Sequence, residues 1–167
     1  MKLSHHIVFV CLVFVGLSLD VIAQDWANLK RFQEENLSLS APAAGESRVV
    51  LMGNSITEGW PKFYPEFFEN SSYIARGISG QTTPQMLLRF RQDVIDLEPD
   101  VVVILAGTND IAGNTGPMTL DEIQGYIVSM CELALANEIY CSVICITCIR
   151  VSLEEWYSAC GADRGPK

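Results

Sequence analysis

The sequence predicts an α/β fold built on a parallel β-sheet covered by helices on both faces. Three observations carry that expectation. Apolar, β-branched runs end abruptly at glycine, as in "RVVLMG" (Arg48–Gly53) and "DVVVILAG" (Asp100–Gly107), the pattern of strands buried on both faces. These runs alternate with stretches of helical periodicity, which implies right-handed βαβ units. The chain of 167 residues is long enough for one domain with a substantial core.

In chain order, residues 1–23 read as a signal peptide: Lys2 supplies the positive start, Ile7–Leu19 the apolar run, and Ala23 the small residue of a cleavage point. A membrane anchor is the competing reading, and either one exports the domain to the periplasm or the extracellular space. With the signal removed, no stable membrane insertion is expected. Residues 24–47 hold an N-terminal helix over Asp25–Leu39 and the linker "SAPAAGES". Residues 48–141 form the main domain. Arg48–Gly53 is its first strand and Tyr73–Ile78 a second, weaker one. Thr83–Leu97 places Met86, Leu87, Phe90, Val94 and Leu97 at helical spacing, with Thr82 or Thr83 as cap and Pro84 in the first turn. Asp100–Gly107 is the clearest strand. Thr119 and Glu122 stand in capping-box register at the head of a helix reaching Asn137, and "EIYCSVICI" reads as a fourth strand. Residues 142–167 are a divergent, cysteine-rich tail.

A net charge of −9 makes nonspecific nucleic-acid binding a poor fit, since phosphates would be repelled. Six cysteines in an exported chain would ordinarily suggest a disulfide framework. Their placement argues against one: Cys11 lies in the signal, Cys131 is alone on a helix, and Cys141, Cys145, Cys148 and Cys160 crowd into the last 27 residues. Cys145 and Cys148 form a C-x-x-C with no second pair or histidine to complete a zinc site. No metal and no cofactor are expected.

Ligands of parallel sheets sit at the carboxyl ends of the strands. Three loops stand there: Gly53–Thr57, Gly77–Thr82 and Gly107–Asp110. In the first, Ser55 is a candidate nucleophile beside unpaired backbone N–H groups at a helix start; the blander reading is a serine N-cap. In the second, Gly77 and Gly80 let the backbone approach a substrate, or simply form a turn. In the third, Asn109 can donate to an oxyanion, or occupy a turn with Asp110 as a helix cap.

Together "GNSIT", "GISGQTT" and "GTND" resemble the first three blocks of the SGNH, or GDSL-type, hydrolases, over about Arg48–Asn137. The departure is Asn54, where the name motif has aspartate. The resemblance implies a flavodoxin-like three-layer α/β/α sandwich, incomplete at its C-terminus. It implies acyl-ester hydrolysis through an acyl-enzyme, on a substrate such as an O-acetylated carbohydrate. Ser55 becomes the nucleophile. The Ser55 N–H, the Gly80 N–H and the Asn109 side-chain amide become the oxyanion hole.

The family takes its general base from a late Asp-x-x-His block. Here the two histidines are His5 and His6, inside the signal, and Asp163 in "DRGPK" has no imidazole after it. Asp110, Glu58 and Asp121 are acids near the rim, but a carboxylate of ordinary pKa, about 4, is a poor base for serine. Read one nucleotide later with permitted codons, the stretch from Ile144 can encode Ser-Val-Leu-Pro-Ala-Tyr-Ala-Phe-Pro-Trp-Lys-Asn-Gly. That resembles the segment after the fourth strand in this family, so two readings of the tail stand: a frameshift near Ser142–Ile144, or a natural cysteine-rich C-terminus. Two classes of function are then open: an exported esterase impaired by the missing base, or a non-catalytic remnant that still binds esters.

Overall fold

The computed structural model describes residues 25–69 and 72–145. The proposed signal peptide and the tail beyond Cys145 lie outside the described residues. Four parallel strands, β1 (Val49–Gly53), β2 (Tyr73–Gly77), β3 (Val101–Ala106) and β4 (Tyr140–Cys145), form one sheet in the order β2-β1-β3-β4. In β1, Val49 pairs with Tyr73 of β2 and Val101 of β3. Val101 in turn faces Tyr140 of β4. β4 therefore continues in register across the boundary at residue 142 drawn from the sequence.

The helices are α1 (Gln33–Ser38), α2 (Ser55–Phe63), α3 (Pro65–Phe68), α4 (Thr83–Asp93), α5 (Thr108–Ile111) and α6 (Leu120–Ala136). The expected helix over Asp25–Leu39 shrinks to α1. Turns precede it, and Asn28 adopts a left-handed backbone at φ 53°, which a continuous right-handed helix does not permit. The expected helix Thr83–Leu97 ends at Asp93 and continues as a 3₁₀ turn at Ile95–Leu97. Its cap is Thr82, whose N–H donates to Gln85 Oε1 at 3.0 Å. At α6 the expected box forms: Glu122 N–H donates to Thr119 Oγ1, and Thr119 N–H to Glu122 Oε2.

Period-two alternation divides the sheet into two faces. On one face Val50, Met52, Val102, Ile104 and Ala106 are fully buried against Met86, Phe90 and Val94 of the α4 segment and Ile123, Ile127 and Met130 of α6. On the other, α2 packs over β1 and β2. Gly77 is what lets it come so close. A Cβ there would overlap Glu58 N and lie 2.7 Å from Asn54 O. This apposition delivers the start of α2 to the strand ends.

Candidate active site

The first loop turns from β1 into α2 at Asn54 and Ser55. The cap of α2 is Asn54, not Ser55: Ile56 N–H donates to Asn54 Oδ1 at 3.1 Å. Asn54 Nδ2 donates to Thr108 Oγ1 at 2.9 Å, so both ends of this buried amide are used. That division of labour frees Ser55. Its side chain is exposed, and among the described residues neither its hydroxyl nor its N–H has a hydrogen-bond partner. The first N–H groups of a helix lack intrahelical acceptors and carry positive partial charge, so an anionic oxygen is favoured there.

The second loop follows β2. Ile78 N–H donates to Gly53 O at 3.1 Å, and Ser79 N–H donates to Glu58 Oε2 at 2.9 Å, with the Ser79 hydroxyl on the same oxygen. Gly80 has φ +77°, a conformation that costs a side-chain-bearing residue but not glycine. Its N–H has no acceptor among the described residues, while its carbonyl accepts from Asn114 Nδ2 at 3.0 Å.

The third loop supplies Asn109, whose Nδ2 donates to Gln81 O at 2.8 Å. One of its two amide hydrogens is therefore committed, and the other has no partner among the described residues. Asp110 is buried and takes two bonds on Oδ1, from Thr83 N–H at 2.8 Å and Thr83 Oγ1 at 2.6 Å. It fixes the Asn109 loop to the head of α4. The three loops are thus joined pairwise: first to third through Asn54–Thr108, second to third through Gln81–Asn109, and first to second through Gly53–Ile78.

Beneath them lies a residue that the motifs do not mention. Arg89 is 0% exposed. Its Nε donates to Gln81 Oε1 at 2.6 Å, one terminal nitrogen to Asp93 at 2.9 Å, and the other to the carbonyls of Gly53 (3.1 Å) and Arg76 (2.9 Å). Burial pulls the guanidinium below its usual value, and the Asp93 carboxylate opposes that. One planar fork holds the ends of two strands and the second loop together. The signal was present in the sequence: Arg89 stands three residues after Met86 on the apolar face of α4, with Asp93 four residues on.

Of the three acids weighed as bases, Asp110 and Glu58 are engaged by Thr83 and Ser79, and Asp121 is exposed at the head of α6. Among the described residues no cluster of three or more His, Cys, Asp or Glu could hold a metal ion. None of their helices is long and apolar enough to cross a membrane. A cavity of about 440 Å³ opens beside Gly80, lined by Trp26, Asn28, Ser79, Gln81, Gln85, Asn114 and Thr115; Ile78 is its other apolar wall, and no charged residue contributes.

Residues 51–164 match the model of the GDSL-like lipase/acylhydrolase family. The chain belongs to that family. A GDSL-like lipase from Bacteroides thetaiotaomicron VPI-5482 is 56% identical, with a TM-score of 0.68 over 70% of this chain and 57% of that one. A protein from Bacteroides fragilis NCTC 9343 is also 56% identical, with a TM-score of 0.70 over 72% and 58%. The uncharacterized lipoprotein YqeF of Bacillus subtilis (strain 168) is 37% identical over 82 residues, 41% of this chain and 34% of YqeF. The chain thus spans less than two thirds of each of these relatives. The sheet order, parallel pairing and helical layers are those of the GDSL/SGNH hydrolase fold, with its C-terminal part lacking from the described residues. Family membership is what these comparisons establish, over residues 51–164.

Proposed function

We propose that this chain is an exported serine esterase acting on a short acyl ester of a polar substrate, an O-acetylated carbohydrate. Ser55 Oγ is the nucleophile. The N–H groups of Ser55 and Gly80 and the free Asn109 amide hydrogen receive the oxyanion. The observation that supports this most is the release of Ser55 from capping by Asn54, beside two backbone N–H groups without acceptors. Donors fixed before the reaction cost no reorganisation when charge develops on the carbonyl oxygen. The neutral cavity beside Gly80 suits a sugar: amides and hydroxyls match its hydroxyl groups, and the Trp26 indole, 48% exposed, offers a flat apolar face. A solved acetyl xylan esterase shares the fold at 21% identity and a TM-score of 0.50 over 57% of this chain and 56% of that one, which is compatible with such a substrate. The lipoprotein relative supports export.

Proton removal is the weak step. These 167 residues hold no histidine beyond His6, so past the proposed signal peptide they offer no imidazole for the Ser55 proton. A positioned general base contributes about 100- to 10,000-fold, and turnover is expected to fall by that order. The missing imidazole favours a second reading, an ester-binding remnant that keeps the oxyanion pocket without turnover. Hydrolysis of p-nitrophenyl acetate, compared with Ser55→Ala, decides between them. A slow rate abolished by Ser55→Ala supports the esterase; equal rates reject a nucleophilic Ser55. Labelling by a fluorophosphonate probe asks independently whether the hydroxyl is activated.

A further inference from the structure

Spacing in the sequence leaves Cys131 and Cys141 unconnected, but the fold brings them together. Their Sγ atoms lie 3.0 Å apart, both thiols are free, and both are buried between α6 and β4. The topology sets this meeting. From Cys131 the helix runs on to Ala136, a rise of about 7.5 Å. The chain reverses at Asn137 and Glu138, where Ile139 N–H returns to Ala134 O at 3.0 Å. It then climbs back as β4 at about 3.3 Å per residue, which brings position 141 level with position 131. Cys141 is held there by its register with Val102, and Cys131 by its place on the buried face of α6. A disulfide needs an S–S separation of about 2.05 Å, so closure asks for about 1 Å of sulfur movement between side chains already facing each other.

We propose that Cys131 and Cys141 are a disulfide-forming pair, a covalent clip between α6 and β4 that closes while the chain folds in the presence of a disulfide oxidant such as glutathione disulfide. One cysteine thiolate attacks a sulfur of the oxidant, forming a mixed disulfide and releasing one glutathione thiolate. The second cysteine thiolate attacks the protein-bound sulfur and releases the other. Two protein thiols are oxidised, one glutathione disulfide is reduced, and the two thiol protons end on the two glutathiones. Closure belongs to folding rather than to the finished fold. The hydrogen bond with Cys141, followed by burial, pushes the Cys131 thiol well above the usual thiol range, and the attacking species is the thiolate. The clip fastens β4, the outermost described strand on that side of the sheet, to α6, independently of any role for Ser55.

The test uses the full chain, reduced, denatured and refolded in a glutathione redox buffer, with free thiols then alkylated. A glutamate-specific protease cuts after Glu132 and Glu138, between the two cysteines, so a link survives as a joined peptide pair in unreduced mass spectrometry, and fragmentation of that pair tells Cys141 from Cys145 and Cys148, which share the peptide 139–154. The expected result is a dominant Cys131–Cys141 pair, the same in Ser55→Ala, and a melting temperature that falls by about 5 °C or more on reduction. Cys141→Ala should show no such fall, and the peptide map stands alone if that variant does not fold. Alkylation of both cysteines, or pairing of either with Cys145, Cys148 or Cys160 instead, would overturn the proposal. Oxidation of the folded, reduced chain as fast as during refolding would overturn the coupling to folding.

Discussion

The rim above β1 and β3 and the flank formed by β3 and β4 are built on opposite terms. At the rim, polar groups are buried and paired: Asn54, Gln81, Thr82, Thr83, Arg89 and Asp110 are each at most 4% exposed, and nearly all of their polar atoms have a protein partner. Along the flank the face opposite the α4–α6 core is apolar and thinly covered. Val101, Val103 and Leu105 are half-buried, Tyr140 is 59% exposed and Ile144 47%. The rim spends hydrogen bonds on geometry and tolerates little change, because each side chain answers to two loops. The flank contributes apolar surface with few constraints, and exposed apolar surface of this kind invites association.

The comparison breaks most severely at Arg89. Replacing it with Met leaves Asp93, 0% exposed, without its cation and frees the carbonyls of Gly53 and Arg76. Breaking a buried pair from one side costs about 3–5 kcal/mol, so Arg89→Met should lose much of the stability in a urea titration. Arg89→Lys should recover only part, since one ammonium cannot match the fork. A loss within about 0.5 kcal/mol would mean that the rim is not held from below.

Asn54→Ala removes a helix cap and the donor to Thr108. A cost of about 1–2 kcal/mol is expected. Asn54→Asp should come close to the parent, because a carboxylate still caps Ile56 N–H and the Thr108 hydroxyl can turn to donate. This would explain why the family's aspartate and this chain's asparagine serve one position. At the flank, Ile144→Thr should change stability by no more than about 0.5 kcal/mol while lowering aggregation in light scattering. If aggregation is unchanged, the exposed face is not what drives it.

The fold was legible where local pattern and global structure agree. Gly-terminated apolar runs marked β1 and β3, and Thr119 with Glu122 marked the head of α6. Within the candidate site, the loops carrying Ser55, Gly80 and Asn109 could be found from their motifs, because strand ends must converge in a parallel sheet. Hidden from the sequence is which atoms are already spoken for. Asn54 rather than Ser55 caps α2 because its side chain also reaches Thr108, 54 positions away. Arg89 could be placed on the apolar face of α4 beside Asp93, but not its reach to Gln81 and to the carbonyls of Gly53 and Arg76. Cys131 and Cys141 meet through a helix–strand reversal that cysteine spacing alone does not reveal. The shortened N-terminal helix was missed because Asn28 takes a left-handed backbone that its neighbours do not signal.

The smallest expected effect separates the two regions by pH. Glu122 sits on the exposed capping box of α6, which carries the flank rather than the rim. The Thr119 N–H and then the Thr119 hydroxyl, both donating to its carboxylate, hold its pKa below the ordinary value of 4.5. A carboxyl depressed in the folded state binds protons more weakly there than in the unfolded chain. Its stabilising contribution is therefore complete above the unfolded pKa and is lost as pH falls through the folded one. Glu122→Ala should lower the melting temperature slightly at neutral pH, and the gap to the parent should narrow as the solution is acidified below about pH 4. Asn54→Ala, which removes an uncharged cap at the rim, should keep its gap over the same interval. A Glu122→Ala gap that stays constant with pH would show that the box stabilises α6 through helix propensity rather than through the charged cap.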